Sequence, residues 1–201
     1  GLVCQAFGKW NHAIALSWVA HDNLCLDNLY RNGSEEIRNK YIPKLCSGEY
    51  VGALGLTEPG SGSDALGSMK TTAKKDGDYY ILNGSKTYIT NGSIADIVLV
   101  YAKTEANKGN KGISTFVVET KSPGFNVVSK LKKMGYRGSQ TAELFFENLT
   151  LAPIEKDLIN FKLLTPSEKN YLFKYHLEVY SKIGVDLFHQ ICRFENLSVR
   201  H

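Results

Sequence analysis

The spacing of apolar positions changes twice along the chain. Up to about residue 47 it is helical. Leu16, Val19, Ala20, Asn23, Leu24, Leu26 and Leu29 recur every three to four residues, the interval that lines one face of an α-helix, and Asn32-Gly33 closes that element. Ser34 is placed to cap a second helix, with Glu35 and Glu36 in its first turn, where the helix dipole favours negative charge. Pro43 and Ser47-Gly48 bring it to a stop.

From Tyr50 to about Thr150 the period becomes two. Tyr50 to Thr57 is a short apolar strand. Met69 to Lys75 and Tyr79 to Leu82 flank Asp76-Gly77, a hairpin signal. Asp96 to Lys103 alternates, with Ile97, Leu99 and Tyr101 on one face and Val98, Val100 and Ala102 on the other. Ile113 to Glu119, Phe125 to Val128 and Ala142 to Phe146 follow. Short strands, glycine-containing turns and no intervening helices predict an antiparallel barrel or sandwich, not a doubly wound sheet. The expected class is α+β: a helical segment over 1–47, a β domain over 48–153 and a helical tail over 154–201. In the tail glycine nearly vanishes, and Leu172, Tyr175, Val179, Ile183, Leu187 and Ile191 keep a helical interval. His189 and Cys192 share a face there, but two residues are too few for a metal site.

Composition narrows the function classes. The 201 residues carry 24 Lys and Arg against 20 Asp and Glu, a formal charge of +4. The longest basic concentration, Lys130, Lys132, Lys133 and Arg137, is short and flanked by apolar residues, which argues against nucleic acid as a main partner. No apolar run approaches the ~18 residues of a membrane-spanning helix. Cys4, Cys25, Cys46 and Cys192 form no CxxC pair and read as reduced thiols. The chain begins with Gly1, as a fragment or processed form would, so a missing targeting segment says nothing of compartment.

The chemistry concentrates in two segments. Leu54-Gly55-Leu56-Thr57-Glu58-Pro59-Gly60-Ser61-Gly62-Ser63-Asp64 runs from an apolar strand into a loop of glycines and hydroxyls. Such a loop can cradle an anion, because glycine lets the backbone approach and hydroxyls add donors; it can equally be a surface turn. It is neither a Walker pattern nor GxGxxG. Lys86-Thr87-Tyr88-Ile89-Thr90-Asn91-Gly92 ends a strand, and alternation puts Tyr88 and Thr90 on one face. A flat ring beside a hydroxyl suits a planar heteroaromatic such as an isoalloxazine, or a tyrosine packed in the core.

Together these segments resemble the acyl-CoA dehydrogenase family. Gly55 to Gly67 satisfies the family's first signature, with Thr57, Glu58, Gly62, Ser63 and Asp64 as fixed points. Leu82-Asn83-Gly84-Ser85-Lys86, Tyr88-Ile89-Thr90-Asn91-Gly92 and Met134-Gly135-Tyr136-Arg137-Gly138-Ser139 follow in order. Ala20-His21-Asp22-Asn23-Leu24-Cys25, Arg31-Asn32-Gly33, Lys40-Tyr41-Ile42-Pro43-Lys44-Leu45 and Tyr101-Ala102-Lys103-Thr104 look like a member acting on a short branched acyl-CoA. The resemblance covers roughly residues 12 to 153.

That resemblance implies FAD-dependent desaturation of an acyl-CoA, with isovaleryl-CoA of leucine breakdown as the first choice and another short- or medium-chain acyl-CoA as the second. It further implies electrons passing to electron-transfer flavoprotein, and a homotetrameric parent in the mitochondrial matrix. Carried over by position, Leu54 to Ser63 and Tyr88 to Thr90 would line the FAD. Thr57 would stand beside the flavin ring and Ser63 near both flavin and acyl-CoA. Asn110 and Lys111, in a loop also holding Lys108, would meet the CoA moiety, where a lysine suits a polyanion. The family usually has Trp where this chain has Tyr88. The family's second helical domain, which holds its catalytic glutamate, has no counterpart from Ile154 to His201. Glu178 lies in no family motif, so no catalytic residue is assigned. A non-catalytic β module, binding flavin or CoA weakly or serving as an interaction surface, is the alternative from another class.

Overall fold

The computed structural model describes residues 2–152. The tail elements predicted beyond residue 153, including the Leu172–Ile191 stripe, His189, Cys192 and Glu178, lie outside the described residues. Helix α1 (Leu2–Trp10) breaks at Asn11, whose side-chain oxygen accepts from the amides of Ala13 and Ile14 at 2.9 and 3.2 Å and so caps α2 (His12–Val19). The chain continues as a π-helical stretch (Ala20–Leu26) and then α3 (Asp27–Asn32).

This π stretch corrects the predicted helical stripe. Bonding to the fifth residue back widens the turn, so the buried set past Val19 is Ala20, Asp22, Cys25, Leu26 and Leu29, while Leu16 and Leu24 are exposed. The final helix, α4 (Glu35–Cys46), is capped as expected, with Ser34 Oγ accepting from the Ile37 amide at 3.3 Å. Pro43 does not stop it. The proline sits on the exposed side, where the Asn39 carbonyl it leaves unbonded can face water.

Seven strands follow: β1 (Gly52–Gly55), β2 (Thr72–Asp76), β3 (Tyr79–Thr90), β4 (Ile97–Lys103), β5 (Ile113–Glu119), β6 (Phe125–Lys130) and β7 (Thr141–Leu151). They form one sheet in the order β1-β4-β2-β3-β7-β6, with β5 on β4. The predicted hairpin joins β2 to β3 through Gly77 at φ 58°. Pairs β2–β3, β3–β7, β6–β7 and β4–β5 are antiparallel, as the pattern predicts. The antiparallel expectation misses one edge: β1 runs parallel to β4, and β2 meets β4 in the same sense at Thr72 and Lys103. The β2–β3 hairpin lies between β1 and β4 in the chain, so β4 returns in β1's direction.

Strand β4 divides the interior. Val98, Val100 and Ala102 pack with Leu82, Phe116, Leu144 and Phe146 inside the curled sheet. Ile97 and Leu99 face the helices, packing with Cys25, Leu29, Ile37, Tyr41 and Leu45. Both faces of the strand are covered, which is why the alternation seen there is between two apolar sets.

Candidate flavin and acyl-CoA site

Strands β1 and β2 lie along one edge of β4, with Gly55 opposite Val100 and Thr72 opposite Lys103. Residues 56–71 leave the sheet between them as a loop. A buried ion pair clamps its base: Glu58 Oε1 accepts from Lys86 Nζ of β3 at 2.9 Å, with side-chain exposures of 5% and 0%. The same carboxylate accepts from the amides of Lys70 and Thr71 at 2.7 and 2.9 Å, and Lys86 also donates to the Leu56 carbonyl at 3.0 Å. Burial alone would push the Glu58 carboxyl up, but the bonds from Thr71, Lys86 and Lys70 outweigh it and hold it below the usual carboxylate range. Burial lowers the Lys86 ammonium against the opposing pull of Glu58. The Glu58 side chain holds the loop's two ends together, so only its backbone is left to face a cofactor.

Above that clamp the loop is a succession of turns. Glu58 and Ser61 exchange backbone bonds at 3.0 and 3.2 Å, Ser61 Oγ donates to the Asp64 carbonyl at 2.7 Å, and the Ser68 amide donates to the same carbonyl at 3.1 Å. None of these bonds uses the amides of Gly62 or Ser63. A Cβ built on Gly60 or Gly62 would meet no heavy atom within 4 Å. Pro59, Gly60, Gly62 and Ser63 are exposed, Leu54, Leu56, Thr57 and Ser61 are half-buried, and Gly55 is buried.

The second segment lies beside the first. The Thr87 amide donates to the Thr57 carbonyl at 2.8 Å, inside a register shift between β3 and β7 that spans Lys86 to Ile89. Within that irregularity Tyr88 takes φ 58°, a conformation tyrosine rarely adopts, and its side chain is 70% exposed. Ile89 is buried in the core and Thr90 half-buried, so only the backbone of Ile89 is available to a ligand. Asn91, at φ 66°, ties the strand end to the helices: Nδ2 donates to the carbonyls of Ser17 and Gly52 at 2.9 and 3.3 Å.

Asn110 and Lys111 are exposed in a 3₁₀ turn (Ala106–Gly112) that follows β4. The Thr104 and Glu105 amides close it on the Gly112 carbonyl at 2.8 and 3.1 Å. Lys103 Nζ reaches the Gly67 carbonyl at 3.4 Å, so this turn and the 56–71 loop share the C-terminal end of β4. Lys108 is paired with Glu105 at 2.7 Å; among the described residues no ion pair engages Lys111.

A flat, solvent-facing ring beside an open glycine loop fits a planar cofactor with a polar tail. Lysine-bearing turns at the same sheet end fit a polyanion. Lys86 is a functional residue that local pattern leaves without a task; its one signal in the sequence is a lone charge in the otherwise uncharged, largely polar run Asn83-Gly84-Ser85-Lys86-Thr87, with an acid in the facing loop.

Residues 53–149 match the family model described as the acyl-CoA dehydrogenase middle domain, and residues 1–49 match its N-terminal domain. Residues 143–197 also match a model described as the C-terminal region of peptidase_M24. Over the shared residues β7 pairs with β3 and β6 inside the same sheet. The mitochondrial isovaleryl-CoA dehydrogenase of Pongo abelii is 51% identical over 149 residues, 73% of this chain and 35% of the relative. That of Arabidopsis thaliana is 52% identical over 147 residues, 73% and 36% respectively.

Among solved structures, the butyryl-CoA dehydrogenase of Megasphaera elsdenii superposes with a TM-score of 0.75 at 40% identity, over 77% of this chain and 40% of that one. A glutaryl-CoA dehydrogenase of Mycobacterium smegmatis in complex with FADH2 gives 0.73 at 35%, over 79% and 40%. A chain in the structure of the electron transferring flavoprotein of Acidaminococcus fermentans gives 0.75 at 41%, over 77% and 40%. The chain thus spans little more than a third of the length of these curated relatives. Two consecutive domain models, the shared motifs and the superposed sheet place the chain, over residues 1–149, in the acyl-CoA dehydrogenase family.

Proposed function

We propose that this chain is the cofactor- and substrate-holding part of an FAD-dependent acyl-CoA dehydrogenase acting on a short branched acyl-CoA, isovaleryl-CoA of leucine breakdown. Another short- or medium-chain acyl-CoA is the alternative within the family. In this reading residues 1–47 end the N-terminal helical domain and 48–153 are the middle β domain. The observation that carries it is Tyr88, exposed at positive φ and next in the chain to Thr87, whose amide bonds the Thr57 carbonyl at the start of the Thr57–Ser63 loop. Thr57–Ser63 and Tyr88–Thr90 would hold FAD, which would supply a hydride acceptor for the acyl β carbon.

The chain's own residues bind and orient. Tyr88 offers a flat face to the flavin, Thr57 a hydroxyl, and Gly60 to Ser63 a backbone without side-chain obstruction. Ser63 stands at the rim shared with the acyl-CoA, and Asn110 and Lys111 present an amide and a positive charge to CoA phosphates. Glu58 does not serve as the base for the α proton, because three donors occupy its carboxylate. The parent enzyme, in this reading, is a homotetramer of the mitochondrial matrix that passes electrons to electron-transfer flavoprotein.

An absorbance spectrum of the purified chain after reconstitution with FAD tests the reading. The expected result is retained flavin whose visible bands shift on adding isovaleryl-CoA. Tyr88→Ala should weaken retention by up to about tenfold, the upper range for one aromatic contact. A protein that stays colourless overturns the proposal and favours the non-catalytic β module.

A further inference from the structure

We propose that His21 is a pH-sensitive latch between the helical layer and the sheet: neutral, it ties α4 to β1; protonated, it lets β1 go. His21 stands at the start of the π-helical stretch, and its ring reaches both layers. Nδ1 accepts from the Gly52 amide at 3.0 Å, and Nε2 lies 3.2 Å from the Leu45 carbonyl. An amide can only donate and a carbonyl can only accept. The two contacts therefore dictate the tautomer, with the lone pair on Nδ1 and the proton on Nε2. A second proton would sit on Nδ1 and point at the Gly52 N–H, removing one bond and setting two donors against each other.

The surroundings favour the neutral ring. Burial pushes the imidazole down from its ordinary range, opposed by the nearby Asp22 carboxylate and by the Leu45 carbonyl. Two thiols complete the setting: Cys25 on the same stretch, pushed up to about 12 by burial, and Cys46 at the end of α4, pushed up to about 11. Both are uncharged where histidine titrates. Lys44 of α4 is engaged with Tyr50 and Glu49, and on the strand side Asp96 accepts from the Val51 amide at 2.8 Å. Among the described residues, Asp22 is thus the neighbouring charge that works for the protonated form.

The latch acts where it matters for the neighbouring loop. Gly52 opens β1, which leads directly into residues 56–71, and a Cβ on Gly52 would stand 2.5 Å from Cys25 Sγ. The strand and the π stretch are thus in close contact at the residue that the ring holds. None of this depends on flavin binding.

The linkage has a definite sign. Because the folded chain favours the neutral ring, the contribution is complete above the unfolded histidine range, about 6.5, and is lost as pH falls below it. Equilibrium urea unfolding of the full chain at a series of pH values, against His21→Gln, tests it. Glutamine offers an acceptor and a donor but does not titrate in this range. The wild-type unfolding constant should rise more steeply than the variant's as pH drops below about 6.5, the excess approaching tenfold per pH unit for one proton. Parallel curves overturn the proposal. Long-range proton–nitrogen spectra of the wild-type ring supply a readout that needs no variant. A neutral ring protonated at Nε2 is expected at pH about 7, and an Nδ1-protonated or charged ring there overturns it.

Discussion

Lys86 shows how one side chain can set a functional loop without touching a ligand. It is fully buried, and its ammonium is held by Glu58 and the Leu56 carbonyl. Removing one member of such a pair leaves the other charge stranded, which typically destabilises by about 3–5 kcal/mol. Lys86→Met should therefore cost about that much in urea unfolding; Glu58→Gln should also destabilise, because its single oxygen can still accept from Lys86 and the Thr71 amide while its NH2 is turned toward the Lys70 amide donor. The acid dependence follows from the depressed Glu58 carboxyl. Its stabilisation is present above the unfolded carboxylate value, about 4.3, and is lost as pH falls through the folded one. Glu58→Gln should accordingly flatten the stability curve on the acid side. That Glu58 and Lys86 both belong to motifs was legible from residue order alone; that they meet was not, because 28 positions separate them and only the packing of β3 under the loop joins them.

At the scale of elements, local periodicity served well wherever one rule governed a whole segment. The β2–β3 hairpin, the two apolar faces of β4 and the Ser34 cap all stand as the pattern predicts. It failed at the π stretch, where an apolar count at helical spacing cannot register a change in turn width, and Leu24 came out exposed in consequence. Strand β3 holds a second irregularity. At Gly84 its pairing with β7 shifts register, φ is 145°, and a Cβ would stand 2.7 Å from Thr71 Cα. Gly84→Ala should destabilise by about 1–3 kcal/mol, as overpacking against a backbone atom does. Gly77→Asn provides the contrast: its φ of 58° suits asparagine and no heavy atom lies within 4 Å of a Cβ. Its thermal unfolding should stay within about 1 kcal/mol of wild type.

For the molecule as a whole, the proposed function gives the described residues binding and orienting roles and assigns none of them as the base. Glu58, the buried carboxylate of the loop, is taken up by its three donors. Loss of a general base typically lowers rate by ~10²–10⁴-fold. The purified 201-residue chain, given isovaleryl-CoA and a dye acceptor, should therefore turn over no faster than a free-flavin control. Rapid turnover would place an active carboxylate within this chain.

Residue order by itself determined the kinds of elements, the two-faced burial of β4, the Asp76-Gly77 hairpin and the run of motifs that marks the family, because each is written in spacings of a few residues. Tertiary structure alone decided that β1 runs parallel to β4, that Lys86 lies beneath Glu58, that the helix widens at Ala20 and that Tyr88 is turned out at positive φ. Those outcomes depend on which distant segments close on one another. A local pattern states what a segment will bury, and only the completed packing states against what.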